Sequence, residues 1–190
     1  MSRPTVVVVG LGPGGDEYVT DHTRRLVADH PHRFLRTSVH PSAHLVPDAI
    51  TFDQVYESAD TFDSVYSQIA EILVAAAVEH GRVLYAVPGS PLVLERTVAA
   101  LRADQRVECE VHPAMSFLDI AYARLGIDPV EARVTLIDGH TFATAAAGNS
   151  GPMLVAHTHA NWVLSDIKLA VENALGDEPV VILQRLGTDD

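Results

Sequence analysis

Two glycine–proline turns hold the residues whose types and spacing point most directly to chemistry. The first, Gly10-Leu11-Gly12-Pro13-Gly14-Gly15, follows the apolar run Val6–Val9, and the second, Pro88-Gly89-Ser90-Pro91, follows Val83–Val87. Glycine removes the Cβ that would keep a backbone away from a ligand, and a helix N-terminus behind such a turn can hold an anion. Formally, Gly10-x-Gly12-x-x-Gly15 matches the dinucleotide fingerprint. That fingerprint also requires a carboxylate at the end of the second strand, on the ribose hydroxyls, and the corresponding Arg33-Phe34-Leu35-Arg36-Thr37-Ser38 has none. Pro13 also deletes a backbone donor inside the turn. A nicotinamide-binding reductase is therefore the least supported reading, and a tight turn without a ligand is its plain alternative.

The other polar groupings offer less. His157-x-His159 would set two imidazoles on one strand face, a pair that a metal could use, but no third ligand stands at a telling spacing. They are read as edge or solvent-facing histidines, and no metal is assigned. Glu57, Asp60 and Asp63 gather at the start of a long helix, where carboxylates complement the helix dipole. Tyr18, Tyr56 and Tyr66 either line a cleft or pack. No residue is nominated as catalytic.

Strand-like and helix-like runs alternate along the chain, as in a parallel sheet covered on both faces. Strands are expected at Thr5–Val9, Arg33–Ser38, Ala49–Phe52, Arg82–Val87 and Val107–Val111. The clearest helix runs from Phe62 to His80, with apolar residues at three- and four-residue steps and Gly81 in the stop position. A second helix is expected from Leu92 to about Ala103, with Pro91 at its first position and Ser90 as its cap. Beyond His112-Pro113-Ala114, which reads as a hinge, come a helix from Ser116 to about Leu125 and a strand Val134–Asp138. Strand Met153–His157, helix Asn161–Leu175 and strand Pro179–Gln184 follow. The boundary is placed so that residues 1–113 form an N-terminal α/β lobe and 114–190 a smaller C-terminal one. That second lobe reads as incomplete, because its last strand runs almost to the terminus.

Bulk composition narrows the function classes. The 190 residues include 13 Lys+Arg against 25 Asp+Glu, a net charge of −12 that repels phosphate backbones. No nucleic-acid partner is expected. No apolar run approaches the ~20 residues of a membrane span, and Met1-Ser2-Arg3-Pro4 does not read as a signal peptide. The single cysteine, Cys109, leaves no intramolecular disulfide. A cytoplasmic protein with no membrane partner is expected.

Taken in order and spacing, the motifs resemble the tetrapyrrole (corrin/porphyrin) methylase family. "VGLGPGG…T" is similar to that family's opening G-x-G-P-G-D segment with its threonine, here Thr20. "PGSP" is similar to its G-D-P elbow, and "HPAMSFLDIAYARLGID" to its linker serine and following helix. "YAVPGSPLVLERTV" with "SFLDIAYARLGIDP" resembles still more closely the methylase-like domain fused to MazG-type nucleotide pyrophosphohydrolases. The resemblance covers essentially the whole chain. It implies a two-lobed α/β fold with S-adenosylmethionine folded between the lobes, a small-molecule acceptor and a homodimer. Carried over by position, the cofactor contacts would be Gly89, Ser90, Val93, Met115, Ser116, Phe117, Ala156, His157, Leu183 and Gln184. The acceptor side would be shaped by Gly10, Gly12, Pro13, Gly14 and Thr20, whose glycines would clear space for a bulky partner.

Two positions depart from the family pattern: Gly15 and Ser90 stand where it carries an acidic residue, or at the elbow a histidine in the pyrophosphohydrolase-linked branch. The magnesium-holding pairs of the pyrophosphohydrolases, E-x-x-E followed by E-x-x-D, do not occur in this chain. The functional expectation is an S-adenosylmethionine-dependent methyltransferase domain acting on an unidentified acceptor. The alternative from another class is a non-catalytic binding or dimerisation module of a MazG-type protein.

Overall fold

A computed structural model describes residues 3–58, 61–172 and 180–188. The chain divides into two compact units, Met1–Ala121 with Arg185–Asp190, and Tyr122–Gln184.

The first unit is built on five strands: β1 (Thr5–Gly10), β2 (Arg33–Leu35), β3 (Ile50–Thr51), β4 (Arg82–Val87) and β5 (Glu108–Val111). They form one parallel sheet in the order β3-β2-β4-β1-β5. The β-branched run Val6–Val9 suits a strand buried on both faces, and all four valines are fully buried. Alternate side chains serve opposite layers. Val6 and Val8, with Val83, Tyr85 and Val87, pack against α3 (Phe62–His80) and α4 (Arg96–Ala103). Val7 and Val9, with Leu84 and Ala86, pack toward Val27 of α1 (Asp21–Asp29). Each buried valine stabilises the sheet by roughly 1.5–3 kcal/mol relative to exposure. Because β1 and β4 pair from Thr5↔Arg82 to Gly10↔Val87, both glycine turns leave the same sheet edge side by side. A shorter helix, α2 (Asp53–Ser58), also belongs to this unit, and α5 (Phe117–Leu125) begins in it and runs into the second.

Local chemistry sets the helix ends. Thr20 accepts from the Thr23 N–H at 3.1 Å and caps α1, and Thr61 accepts from Ser64 to cap α3. Gly81, at φ 80°, closes α3 by donating to the Ala77 carbonyl. The second elbow differs from expectation. Leu94 sits at φ 59°, which an α-helix cannot pass through, so α4 starts at Arg96 rather than near Leu92. Ser90 contributes its carbonyl to Val93 and does not cap that helix, while the cap position, Glu95, makes no side-chain capping bond.

The second unit contains β6 (Thr135–Asp138) and β7 (Met153–Ala156), paired in parallel with Asp138 opposite Ala156. With them come a short helix α6 (Phe142–Ala145) and α7 (Asn161–Glu172). Ile137, Phe142, Ala156 and Val163 are its buried apolar residues among those described. The strand expected over 179–184 is not formed across 180–184: these residues pair with no other strand among the described residues, and Val180, Val181 and Ile182 are exposed. Residues 173–175, expected to end the last helix, and residue 179 lie outside the described residues.

Candidate functional site

The two glycine turns and the segment after β5 meet within the first unit. Gly12 and Gly89 form an antiparallel bridge, with the Gly89 N–H donating to the Gly12 carbonyl at 2.7 Å. A Cβ on Gly10 would lie 2.2 Å from the Gly89 carbonyl oxygen, 2.5 Å from the Ala114 Cβ and 2.9 Å from the Pro91 ring. Ser116, buried, caps α5: its Oγ accepts from the Leu118 N–H, and its own N–H donates to Asp119. Met115 is exposed, whereas Phe117 and Val93 are half-buried.

The expectation that the first turn's glycines clear space for a bulky partner is not met in their Cβ directions. That space is filled by the protein itself: Tyr18 at Gly12, the Gly187 backbone at Gly14, and the Glu17 carboxylate at Gly15. Close backbone packing is what these glycines permit. Nor is the turn a phosphate cradle. The Gly15 N–H donates to Gly187, a 3-10 turn at Asp16–Tyr18 intervenes before α1, and Thr20 already caps that helix. Gly89 is the exception. It takes φ 65°, and nothing lies within 4 Å of where its Cβ would stand, leaving one open face at the elbow for a ligand to approach.

The contact at Gly14 gives a local test. A Cβ there would lie 1.8 Å from the Gly187 carbonyl oxygen. Gly14→Ala should therefore displace residues 185–188 and speed tryptic cleavage after Arg185 by about tenfold while the rest of the unit stays folded. Unchanged cleavage would refute that contact.

Beneath the second elbow lies a buried polar cluster that the sequence did not reveal. Arg36 donates to Glu95 at 2.7 Å and to the Tyr56 hydroxyl at 2.9 Å. The Glu95 side chain is 2% exposed, and its second oxygen, the Tyr85 hydroxyl and the Thr97 hydroxyl are buried and make no close hydrogen bond among the described residues. Burial pushes the Glu95 carboxyl up, with Arg36 opposing. Burial would lower Arg36, yet the Glu95 charge and Tyr56 hold it above its usual value. The only sequence signal was a carboxylate directly after the apolar run Leu92–Leu94.

The profile of the Tetrapyrrole (Corrin/Porphyrin) Methylases matches residues 5–190. The chain belongs to this family. It is 31% identical over 185 residues to the uncharacterized protein YabN of Bacillus subtilis (strain 168), a match covering 94% of this chain and 37% of YabN. The chain thus spans little more than a third of that relative. A crystal structure of uroporphyrin-III C-methyltransferase from Thermus thermophilus superposes with TM-score 0.57 at 24% identity, covering 74% of this chain and 62% of that one. A structure of the T. thermophilus enzyme complexed with S-adenosyl homocysteine gives 0.53 at 20%, covering 73% and 59%. Both establish the methylase fold, an α/β architecture with a mostly parallel sheet.

In this methylase-family chain the remaining carried-over residues lie in the second unit. Ala156 is buried at the end of β7. His157 follows at φ 57°, so the strand stops one residue before its expected end, and His157 and His159 share a loop rather than a strand face. Leu183 is half-buried and Gln184 exposed, both outside any strand. Sequence reasoning also missed two neighbours of His157: His140 and Asp138 stand with it, each offering a ligand atom within 4.8 Å of the others. No periodicity signals that grouping, since Asp138 and His157 are brought close by strand pairing alone.

Proposed function

We propose that this chain is an S-adenosylmethionine-dependent methyltransferase domain of the tetrapyrrole methylase type, acting on a small-molecule acceptor. The observation that carries it is the elbow at Gly89: a left-handed glycine with an open face, hydrogen-bonded to the first turn. Gly89, Ser90 and Val93 on that elbow, with Met115, Ser116 and Phe117, are the contacts proposed for the first unit. Ala156, His157, Leu183 and Gln184 are those proposed for the second. Gly10, Gly12, Pro13, Gly14 and Thr20 are proposed for the acceptor side.

A sulfonium donor supplies an activated methyl group with its own leaving group. The chain's residues then need only bind, align and exclude water, and alignment accounts for much of the rate in such transfers. The lack of a nucleophile–base pair at the elbow is consistent with that chemistry. Ser90 and Gly15, where the family pattern carries charge, leave binding to backbone groups and hydroxyls, which both accept and donate.

A second reading, a binding or dimerisation module of a MazG-type pyrophosphohydrolase, is favoured by those two neutral positions alone. Calorimetry separates the two. Micromolar binding of S-adenosylmethionine and S-adenosylhomocysteine, with none of NADPH, is expected under the first reading, and no binding by a folded chain overturns it. Gly89→Ala should fold, at a cost of about 1 kcal/mol for the left-handed backbone, and weaken S-adenosylhomocysteine at least tenfold. Unaltered affinity in that variant would remove the elbow from the site. A homodimer in the cytoplasm belongs to the same proposal, and sedimentation as a monomer alone would count against the dimer.

A further inference from the structure

We propose that Asp138, His140 and His157 form a binding site for a first-row transition-metal dication of the zinc class; the inference does not rest on the methyltransferase reading, although His157 belongs to both. The fold brings them together in three ways. Parallel pairing of β6 and β7 sets Asp138 opposite Ala156, so the residues after each strand emerge at one edge. Gly139 lets those ends close: a Cβ there would stand 2.9 Å from the Ala156 carbonyl oxygen and 2.9 Å from a Val163 methyl. His157, at φ 57°, holds a left-handed conformation that costs a non-glycine residue of order 1–3 kcal/mol and gathers at functional sites.

The donor atoms are arranged as ligands. The Nδ1 of His140 lies 2.9 Å, and the Nδ1 of His157 3.2 Å, from the same oxygen, Asp138 Oδ1. Donor atoms bound to zinc at its usual 2.0–2.2 Å stand about 3.3 Å apart in a tetrahedron. The His140 backbone N–H also donates to this oxygen at 3.1 Å. Three nitrogens thus converge on one oxygen, more than its lone pairs can serve. A cation among the side-chain donors would take both imidazole lone pairs and keep the backbone bond, which relieves that crowding. Two imidazoles with one carboxylate suit zinc and its neighbours rather than magnesium or calcium, which take oxygen ligands. The His159 ring, 6.1 Å from that of His140 and 6.3 Å from that of His157, stands next to the set. His140 also borders a cavity of about 400 Å³ with Thr141, Phe142 and Asp166.

The test is zinc alone, titrated calorimetrically into the full chain after chelator treatment, without any nucleoside present. One zinc ion per chain is expected, with micromolar affinity or tighter, falling at least tenfold in His157→Gln and in Asp138→Asn. Asparagine retains an oxygen to cap the turn at His140, so Asp138→Asn should keep its circular dichroism spectrum. His44→Gln, which alters a surface histidine elsewhere, should leave the affinity unchanged. Absence of binding, or binding equally tight in both site variants, overturns the site. Failure of S-adenosylmethionine to bind has no bearing on the result.

Discussion

Gly10→Ala is expected to be strongly destabilising for the first unit. The new Cβ would meet a carbonyl oxygen at 2.2 Å, a Cβ at 2.5 Å and a proline ring at 2.9 Å. None of these is the movable end of a flexible side chain, so either β1 must part from the elbow or the elbow from the segment at Ala114. Overpacking typically costs about 1–3 kcal/mol and occasionally more. The rigidity of all three neighbours places this case at or beyond the upper end. Gly81→Ala provides the comparison: it adds a methyl at φ 80° with nothing within 4 Å, so only backbone strain of about 1 kcal/mol is expected. Urea unfolding followed by circular dichroism should rank the two in that order. Equal midpoints would mean that the turns and the post-β5 segment are not packed as described.

The second large effect concerns the charge pair below the elbow. Arg36→Met would leave the Glu95 carboxyl, 2% exposed, with no counter-charge. A carboxyl that holds its proton more tightly when folded makes stability fall as pH rises from its unfolded pKa through its folded one. Glu95 is already raised by burial, and removing Arg36 raises it further, so the extra loss accumulates as the pH rises above the range of an ordinary carboxyl. Its size has a ceiling, because the group can instead take up a proton. From an unfolded value near 4.3, that costs about 3.7 kcal/mol at pH 7 and about 1 kcal/mol at pH 5. A penalty of about 2–3 kcal/mol at pH 7 that shrinks toward pH 5 is therefore expected. The pair Arg36→Met with Glu95→Leu should recover much of it, since no buried charge then remains. A penalty of the same size at both pH values would show that Arg36 acts through packing alone.

How much of this was legible in the sequence depended on whether the cause was local. β1 could be read from four consecutive valines, and α3 from its apolar spacing and Gly81, because burial on both faces or on one stripe leaves a period in the chain. Helix α1 was not assigned a range, although Thr20 and Asp21 mark its start. The start of α4 was misplaced because the left-handed turn at Leu94 has no signature in a leucine. The stretch Val180–Ile182 has strand-forming side chains, but a strand also needs a pairing partner, which composition cannot supply. At the site, the elbows were visible as glycine and proline. The Arg36–Glu95 pair and the Asp138–His140–His157 group were not, because residues 59 and 19 positions apart meet only through sheet pairing and loop packing.

The most direct test of the central claim, that the Gly89 elbow is a cofactor contact, is a crystal structure of this chain grown with S-adenosylhomocysteine. The ligand should lie against the open face of Gly89, with heavy atoms within about 4 Å of its Cα. Electron density for the ligand elsewhere, with that face covered by the protein's own side chains, would contradict the claim.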